Sequence, residues 1–208
     1  MRIAFLVHDY HRHGGHARYV AELASRFKKD HEVHVYTSVW EESDPVGIHF
    51  HRIPSIRWTA LTSIVSFILP SSLIPLGKYD IVHAQGLCGL RQDVVTAHIC
   101  NRAWYNAAER FGGKLALRKK INKWIVTALE RLTFRSEAAC AFIAVSDRIR
   151  KDLLELHRIP SPMVHVIHHG VDLATFSLEQ RKLFRRKTRD RLGLQENELV
   201  FLLSLIHI

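Results

Sequence analysis

The sequence predicts an α/β fold, a Rossmann-like parallel sheet with helices on both faces. Two observations lead to this class. Short apolar, β-prone runs such as residues 3–7 are typical of strands that are buried on both faces of a parallel sheet. These runs alternate with segments such as residues 16–28, in which apolar residues recur at helical spacing. Strands that alternate with helices are joined by right-handed crossovers, which makes the predicted sheet parallel.

The elements follow one another in a regular order. After the first strand, a polar loop over residues 8–15 leads into the first helix. Apolar runs predict further strands over residues 33–37, 48–53, 79–84, 93–97, 139–145, 163–167 and 199–205. Helices are predicted from Thr59 to about residue 69, over residues 114–135 and over residues 178–192. One more begins at Ser146, which caps it with Asp147 in the first turn.

Composition limits the class of protein. The chain has 208 residues, 47% hydrophobic and 24% charged, which is typical of a soluble, core-forming protein and excludes collagen, coiled coils and disordered tails. The three cysteines form no CxxC pair, and no secretory signal opens the chain, so a cytoplasmic location is expected. The formal net charge of +10 points to phosphate, nucleic acid or anionic lipid as a partner.

Three stretches bear on those partners. Residues 59–76 are apolar enough for a membrane span, but Pro70 and Pro75 interrupt them, which favours a docked helix over an interfacial segment. Residues 114–135 form a basic amphipathic helix with Trp124, compatible with either an ordinary packed helix or peripheral binding to an anionic membrane surface. Residues 181–191 are basic but carry no groove-reading motif, so no nucleic-acid partner is expected.

Two features could carry chemistry. Gly14 and Gly15 lie between the first strand and its helix, where the backbone can approach a phosphate at a helix N-terminus, although a plain turn explains such a pair equally well. There is no GxGxxG or GxxxxGK[ST] motif, so neither an NAD enzyme nor a P-loop NTPase is indicated. His98 ends the fifth strand and is expected at the same carboxyl edge of the sheet. A structural or solvated histidine is the alternative reading of His98.

The loop before the first helix also contains several histidines. Their spacing could suggest a metal site, but no cysteine or paired carboxylate accompanies them. We therefore expect them to be solvated, and we expect no metal. The residues concerned are His8, His11, His13 and His16.

Five phrases, in this order, resemble the N-terminal domain of the family-4 glycosyltransferases, which have the two-domain GT-B architecture. The first runs from RIAFLVHDYHRHGGHARYVAELASRF to HEVHVYT, and it is similar to the family's opening strand, glycine loop, helix and next strand. YDIVHAQG resembles a later strand, and VVTAHICN the strand that ends in the active-site histidine. FIAVSDRIRKDLLE and VHVIHHGVDLATF complete the set.

The resemblance implies transfer of a sugar from a nucleotide-sugar donor to a glycan or lipid-linked acceptor, with retention at the anomeric carbon. It places His98 beside the transferred sugar as the catalytic histidine, and Gly14 and Gly15 beside the donor pyrophosphate or the acceptor. It also implies that no metal cofactor is needed, because backbone amides and basic side chains stabilise the leaving diphosphate. His16, His169 and Gly170 are expected to line the cleft, although histidines 168 and 169 stand where the family has Pro-Asn.

The resemblance also divides the chain. Residues 1–198 are expected to form the acceptor-side domain, and 199–202 to begin the donor-binding domain, which would carry the family's Glu-x7-Glu element. Residues 203–208 resemble a translated sequencing adapter and are expected to be a non-native tail. On this reading the chain is truncated and inactive by itself. The alternative is a stand-alone module that binds a phosphorylated or anionic ligand without catalysis.

Overall fold

The computed structural model describes residues 1–41, 46–112, 116–135, 137 and 139–201. The chain divides into two compact units, Met1–His169 and Gly170–Ile208, and each is described by itself. The predicted tail over residues 203–208 and residue 202 lie outside the described residues, as do residues 114 and 115 of the predicted basic helix.

The first unit is built on a parallel sheet of seven strands. They are β1 (Arg2–Leu6), β3 (Glu32–Thr37), β5 (Ile48–Arg52), β6 (Ile81–Gln85), β7 (Val94–Ala97), β8 (Ala141–Ala144) and β9 (Val164–Val166). Two further strands, β2 (Asp9–Tyr10) and β4 (Val39–Trp40), pair with each other as a separate two-stranded sheet.

The strand order of the main sheet is β5-β3-β1-β6-β7-β8-β9, and all neighbouring strands are parallel. After β1, the chain adds β3 and β5 on one side of β1. It then crosses to the other side of β1, where β6 is the first strand. Ligands of open α/β sheets bind outside the carboxyl ends of the strands at such a reversal. The topology thus places the expected site beside the ends of β1 and β6.

Helices accompany this sheet. They are α1 (Gly15–Phe27), α2 (Ala60–Ser71), α3 (Asn101–Gly112), α4 (Leu117–Thr133) and α5 (Asp147–His157). The cap predicted at the start of α5 is present, since Ser146 accepts from the backbone N–H of Ile149. The structure also shows a cap on α2 that was not predicted, where Thr59 accepts from the backbone N–H of Thr62. None of the described helices is long and apolar enough to span a membrane.

Both faces of the sheet are covered, as predicted. Phe5 is fully buried on one side of β1 in a cluster with Val20 of α1, and Leu6 is buried on the other side with Phe67 of α2. Successive side chains of a strand point to opposite faces, which explains why β1 reads as an unbroken apolar run. The observed fold is the α/β Rossmann-like fold that the sequence predicts.

The loop over residues 8–15 differs from its prediction as a solvated polar segment. It contains β2, whose Tyr10 is fully buried and meets Phe50 edge-on with ring centroids 4.9 Å apart. His8 packs its ring on Phe67 at 4.4 Å. Burial lowers the pKa of His8 to about 4, so this histidine is a neutral packing residue rather than a solvated one.

The second unit contains α6 (Leu178–Arg191), which begins where Ser177 caps the backbone N–H of Gln180 at 3.1 Å. The strand predicted from residue 199 is wrong for Leu199, Val200 and Phe201, which form no strand, and residues 202–205 are outside the described part. The described part of this unit holds no strand.

Candidate functional site

The candidate site lies at the carboxyl edge of the main sheet, beside the reversal between β1 and β6. The ends of β6, β7 and β9 supply Gln85, His98 and His169, while α1 supplies His16 and Tyr19. Contacts between their side chains bring most of the predicted site residues into one group.

Gly14 and Gly15 form the turn that starts α1. Gly14 is the N-cap residue with φ 146°, and Gly15 lies in the left-handed region with φ 62°. A Cβ added at either position would meet no atom within 4 Å, so the space beside both backbones is open. The free N–H groups and positive dipole of the α1 N-terminus therefore face a surface that an anionic group can approach.

His98 is half-buried directly after β7. Its Nε2 lies 2.8 Å from Gln85 Oε1. Since a carbonyl oxygen only accepts, His98 Nε2 carries the hydrogen, which leaves Nδ1 as an acceptor in the neutral ring. Burial, with smaller contributions from neighbouring histidines, lowers the pKa of His98 to about 3, so the ring is neutral at physiological pH.

Aromatic contacts hold the other side chains around His98. Tyr19 meets the His98 ring edge-on at 5.4 Å and stacks on the His169 ring at 4.8 Å. His169 also meets His98 edge-on at 5.2 Å, and His16 lies 5.8 Å from His98. Desolvation lowers the pKa of His16 and that of His169. The structure thus gathers three predicted histidines with Tyr19, whereas Gly170 begins the second unit and its role stays a prediction.

A buried hydrogen bond joins the two strands that lead to Gln85 and His98. His83 Nε2 lies 2.7 Å from Thr96 Oγ1, across the pairing of β6 with β7. Burial lowers the pKa of His83 to about 4, so this ring too is neutral at physiological pH. Burial raises the pKa of the Tyr19 hydroxyl. The His83–Thr96 pair joins β6, which ends in Gln85, to β7, which His98 follows.

Two residues of this group were missed in the sequence. Tyr19 follows Gly15 by four positions, so it lies on the same face of α1 as the glycine turn. Gln85 is the last residue of β6, and such a residue faces the ligand crevice of a parallel sheet. Both signals are readable from the sequence once α1 and β6 are assigned.

The loop histidines form no metal-binding group in the described residues. Two other groups of side chains have the donor atoms for one: Glu32 with His34 and His49, and Cys100 with Glu130 and His157. In the second, Glu130 already accepts the backbone N–H groups of Asn101 and Arg102.

The three cysteines are free. Cys88 and Cys100 are buried and Cys140 is exposed. Burial raises the pKa of the Cys100 thiol to about 12.

The fold resembles that of several solved structures. WaaG, a glycosyltransferase involved in lipopolysaccharide biosynthesis, has a TM-score of 0.71 at 18% identity, over 94% of this chain and 52% of that one. Sucrose-phosphate synthase from Thermosynechococcus elongatus has a TM-score of 0.58 at 16% identity, over 95% and 53%. Anabaena Alr3699/HepE in complex with UDP-glucose has a TM-score of 0.53 at 15% identity, over 93% and 50%. The chain spans about half the length of these proteins.

These likenesses show the fold, which is the Rossmann-like half of a GT-B glycosyltransferase. The search of curated proteins gave no match. The family model described as Glycosyltransferase Family 4 matches residues 13–175, a range that runs from the glycine turn through His98 to beyond His169. The chain therefore belongs to Glycosyltransferase Family 4.

Proposed function

We propose that this chain is the acceptor-side part of a glycosyltransferase that moves a sugar from a nucleotide-sugar donor to a glycan or lipid-linked acceptor, with retention at the anomeric carbon. The observation that carries the proposal is His98, held by Gln85 at the switch-point edge of the sheet in a chain of Glycosyltransferase Family 4. Retention follows from the family resemblance.

His98 acts as a neutral hydrogen-bonding group. Because its pKa lies near 3, it has no proton to donate as an imidazolium at physiological pH. Its Nε2 hydrogen is engaged by Gln85 at 2.8 Å, so Nδ1 is the atom that can accept a hydrogen bond from a sugar hydroxyl. Its task is therefore to orient the transferred sugar, since correct geometry contributes much of the rate of group transfer.

The glycine turn receives negative charge. Gly14 and Gly15 leave open space beside the N-terminus of α1, where N–H groups stabilise a phosphate or another anionic substrate group. Charge that develops on a leaving diphosphate is stabilised by fixed donors of this kind. We therefore propose that transfer requires no metal cofactor.

The 208 residues alone are proposed to be inactive. The relatives of known structure are about twice as long as the part that this chain matches. Transfer needs donor and acceptor held together at short range, which takes both walls of a cleft. The Anabaena relative binds UDP-glucose, which supports a nucleotide sugar as the donor.

The acceptor is proposed to lie at an anionic membrane surface, at the cytoplasmic side. On α4 the described apolar residues Leu117, Ile121 and Trp124 are exposed by 75%, 50% and 71%, whereas Val126 and Glu130 are buried. Arg118, Lys119 and Lys120 are exposed on the same helix. Exposed Trp and aliphatic side chains beside basic ones are the features by which interfacial helices bind anionic lipid.

The test starts from the full reading frame, defined by a long sequencing read through the 3′ end of the gene. The whole product is assayed with a panel of nucleotide sugars for diphosphate release and acceptor glycosylation. We expect His98→Ala to lower kcat by about 100-fold or more, the usual loss when a preorganised polar group of an active site is removed. His165→Ala, an exposed strand histidine on β9, is the matched control.

Three outcomes would contradict the proposal. Full activity of His98→Ala would remove the histidine from the mechanism. Sugar transfer by the 208-residue chain would overturn its inactivity. Binding of a phosphorylated ligand without any turnover by the whole product would favour the stand-alone binding module.

A further inference from the structure

A second group of histidines lies on β3 and β5, away from the carboxyl ends that form the candidate site. Glu32 and His34 belong to β3, while His49 and His51 belong to β5, the edge strand. The parallel register places His34 opposite His49. Because side chains alternate along strands, all four residues lie on the same face of the sheet.

These side chains are in direct contact. His34 Nε2 lies 2.9 Å from Glu32 Oε1, and His34 Nδ1 lies 2.9 Å from His51 Nε2. The His49 ring stacks on His34 with centroids 4.7 Å apart. One donor atom from each of Glu32, His34 and His49 lies within 4.8 Å of the others.

We propose that Glu32, His34 and His49 bind a divalent transition-metal ion of the Zn²⁺ type, with His51 orienting His34. Two imidazoles and one carboxylate are a donor set that zinc accepts in proteins, with further positions taken by water. The ion would link edge strand β5 to β3, a place with no part in the proposed sugar transfer.

The protons of the group can be exchanged for a metal ion. Glu32 Oε1 is an acceptor, so a hydrogen or a cation must lie between it and His34 Nε2 at their separation of 2.9 Å. Two ligands of a tetrahedral zinc ion, each about 2.0–2.1 Å from the metal, lie roughly 3.3 Å apart. Opening the pair by a few tenths of an ångström therefore makes room for the ion. His49 is exposed, and one of its ring nitrogens already lies within 4.8 Å of the donor atoms of Glu32 and His34.

His51 fixes the form of His34 that binds metal. With a hydrogen on Nδ1, His34 donates to His51 Nε2, and its own Nε2 is left with a lone pair directed at the Glu32 side. Metal-binding histidines usually donate their second N–H in this way. Stacking of the His51 ring on Tyr36 at 4.4 Å holds the acceptor in place.

The charges around the group are those of Glu32, which attracts a cation, and of two basic residues. Arg2 and Lys78 are nearby cations that oppose a metal ion, but both are exposed to solvent, which screens their charges.

The experiment uses the purified chain, stripped with a chelator and titrated with Zn²⁺ by calorimetry. We expect one bound ion. His34→Gln and His49→Gln should abolish this binding, whereas His51→Gln should weaken it by about 10- to 100-fold, the usual effect of losing an orienting partner. Circular dichroism of each variant checks that the fold persists. A bound ion should also raise the melting temperature of the wild type, but not that of His34→Gln or His49→Gln.

Two controls separate this site from others. His165→Gln removes an exposed strand histidine elsewhere in the sheet, and Cys100→Ser removes the thiol of the buried Cys100–Glu130–His157 group. Both should bind Zn²⁺ as the wild type does. Absence of binding, binding that survives both His34→Gln and His49→Gln, or loss of binding in Cys100→Ser would overturn the proposal. An unchanged affinity in His51→Gln would refute the orienting role.

Discussion

Glu130 accepts a hydrogen bond from the backbone N–H of Arg102 at 2.9 Å, so a fully buried carboxylate of α4 caps the first turn of α3. Its other oxygen accepts from the backbone N–H of Asn101 at 2.5 Å. His157 of α5 lies 3.3 Å from the same carboxylate. One side chain thereby joins α3, α4 and α5, close in the chain to His98, which follows β7.

Glu130→Gln should destabilise the protein by about 1–3 kcal/mol, because the amide nitrogen presents hydrogens to a backbone donor that then loses its acceptor. The free energy of urea-induced unfolding measures the change. Glu109→Gln is the control, since Glu109 forms a more exposed ion pair with Lys123 at 2.7 Å, worth less than about 1 kcal/mol. Equal stabilities of the two variants would contradict the capping role.

Gly89→Ala should also destabilise the fold. A Cβ at this position would lie 2.8 Å from Leu6 Cδ1 and 2.9 Å from Gln92 Oε1, and both of those residues are buried. Overpacking of this kind costs about 1–3 kcal/mol. Gly77→Ala, whose Cβ would meet nothing within 4 Å, should lower the melting temperature far less. If Gly89→Ala were as stable as Gly77→Ala, the side chains of Leu6 and Gln92 would have moved aside without strain.

Acid should destabilise the protein below pH 6.5. The pKa of His83 falls from 6.5 in the unfolded chain to about 4 in the fold, so the unfolded state binds a proton that the folded state does not. The free energy of unfolding is therefore unaffected by the protonation of His83 above pH 6.5. It decreases as the pH falls towards 4, by on the order of 3 kcal/mol in all.

Urea unfolding at several pH values measures this loss. His83→Gln should reduce the dependence of stability on pH between 6.5 and 4 but not remove it, because the pKa values of His8 and His98 are lowered too. The exposed control His165→Gln should keep the full dependence. An unchanged slope in His83→Gln would assign the acid sensitivity to other groups, such as His8.

Charge reversal on α4 should weaken binding to anionic vesicles. The double variant Lys119→Glu/Lys120→Glu should lose about 1 kcal/mol or more for each basic residue removed, measured by flotation with phosphatidylserine-containing vesicles. The control, Lys182→Glu/Lys187→Glu, makes the same charge change on α6. A larger loss in the α6 control would move the membrane contact away from α4, and binding that ignores lipid charge would remove its electrostatic part.

Much of the main sheet could be predicted because burial dictates its sequence. Strands such as β1 are covered on both faces, and their unbroken apolar runs therefore identify them as strands in the sequence. In contrast, α3 has no buried residue and exposes Trp104 and Phe111, so burial does not dictate its sequence. The strands β2 and β4 are two residues long, which is too short for any period to appear.

The placement of the candidate residues in the fold was predictable where chain position alone decides it. His98 and the glycines follow strands, and strand ends meet at one edge. The cap supplied by Glu130 and the pairing of His34 with His51 depend on which helices and strands become neighbours. Such contacts join residues that the sequence separates, and no local spacing indicates them.

Because two of the three thiols are buried, a single cysteine is accessible for chemical labelling. Cys140, at the entrance to β8, should react alone with a maleimide dye, while Cys88 and Cys100 stay protonated and shielded. The native chain can thus be labelled once, without mutation, beside β8, whose carboxyl end lies at the same edge of the sheet as the candidate site. A fluorophore there would follow ligand binding and unfolding in the same sample.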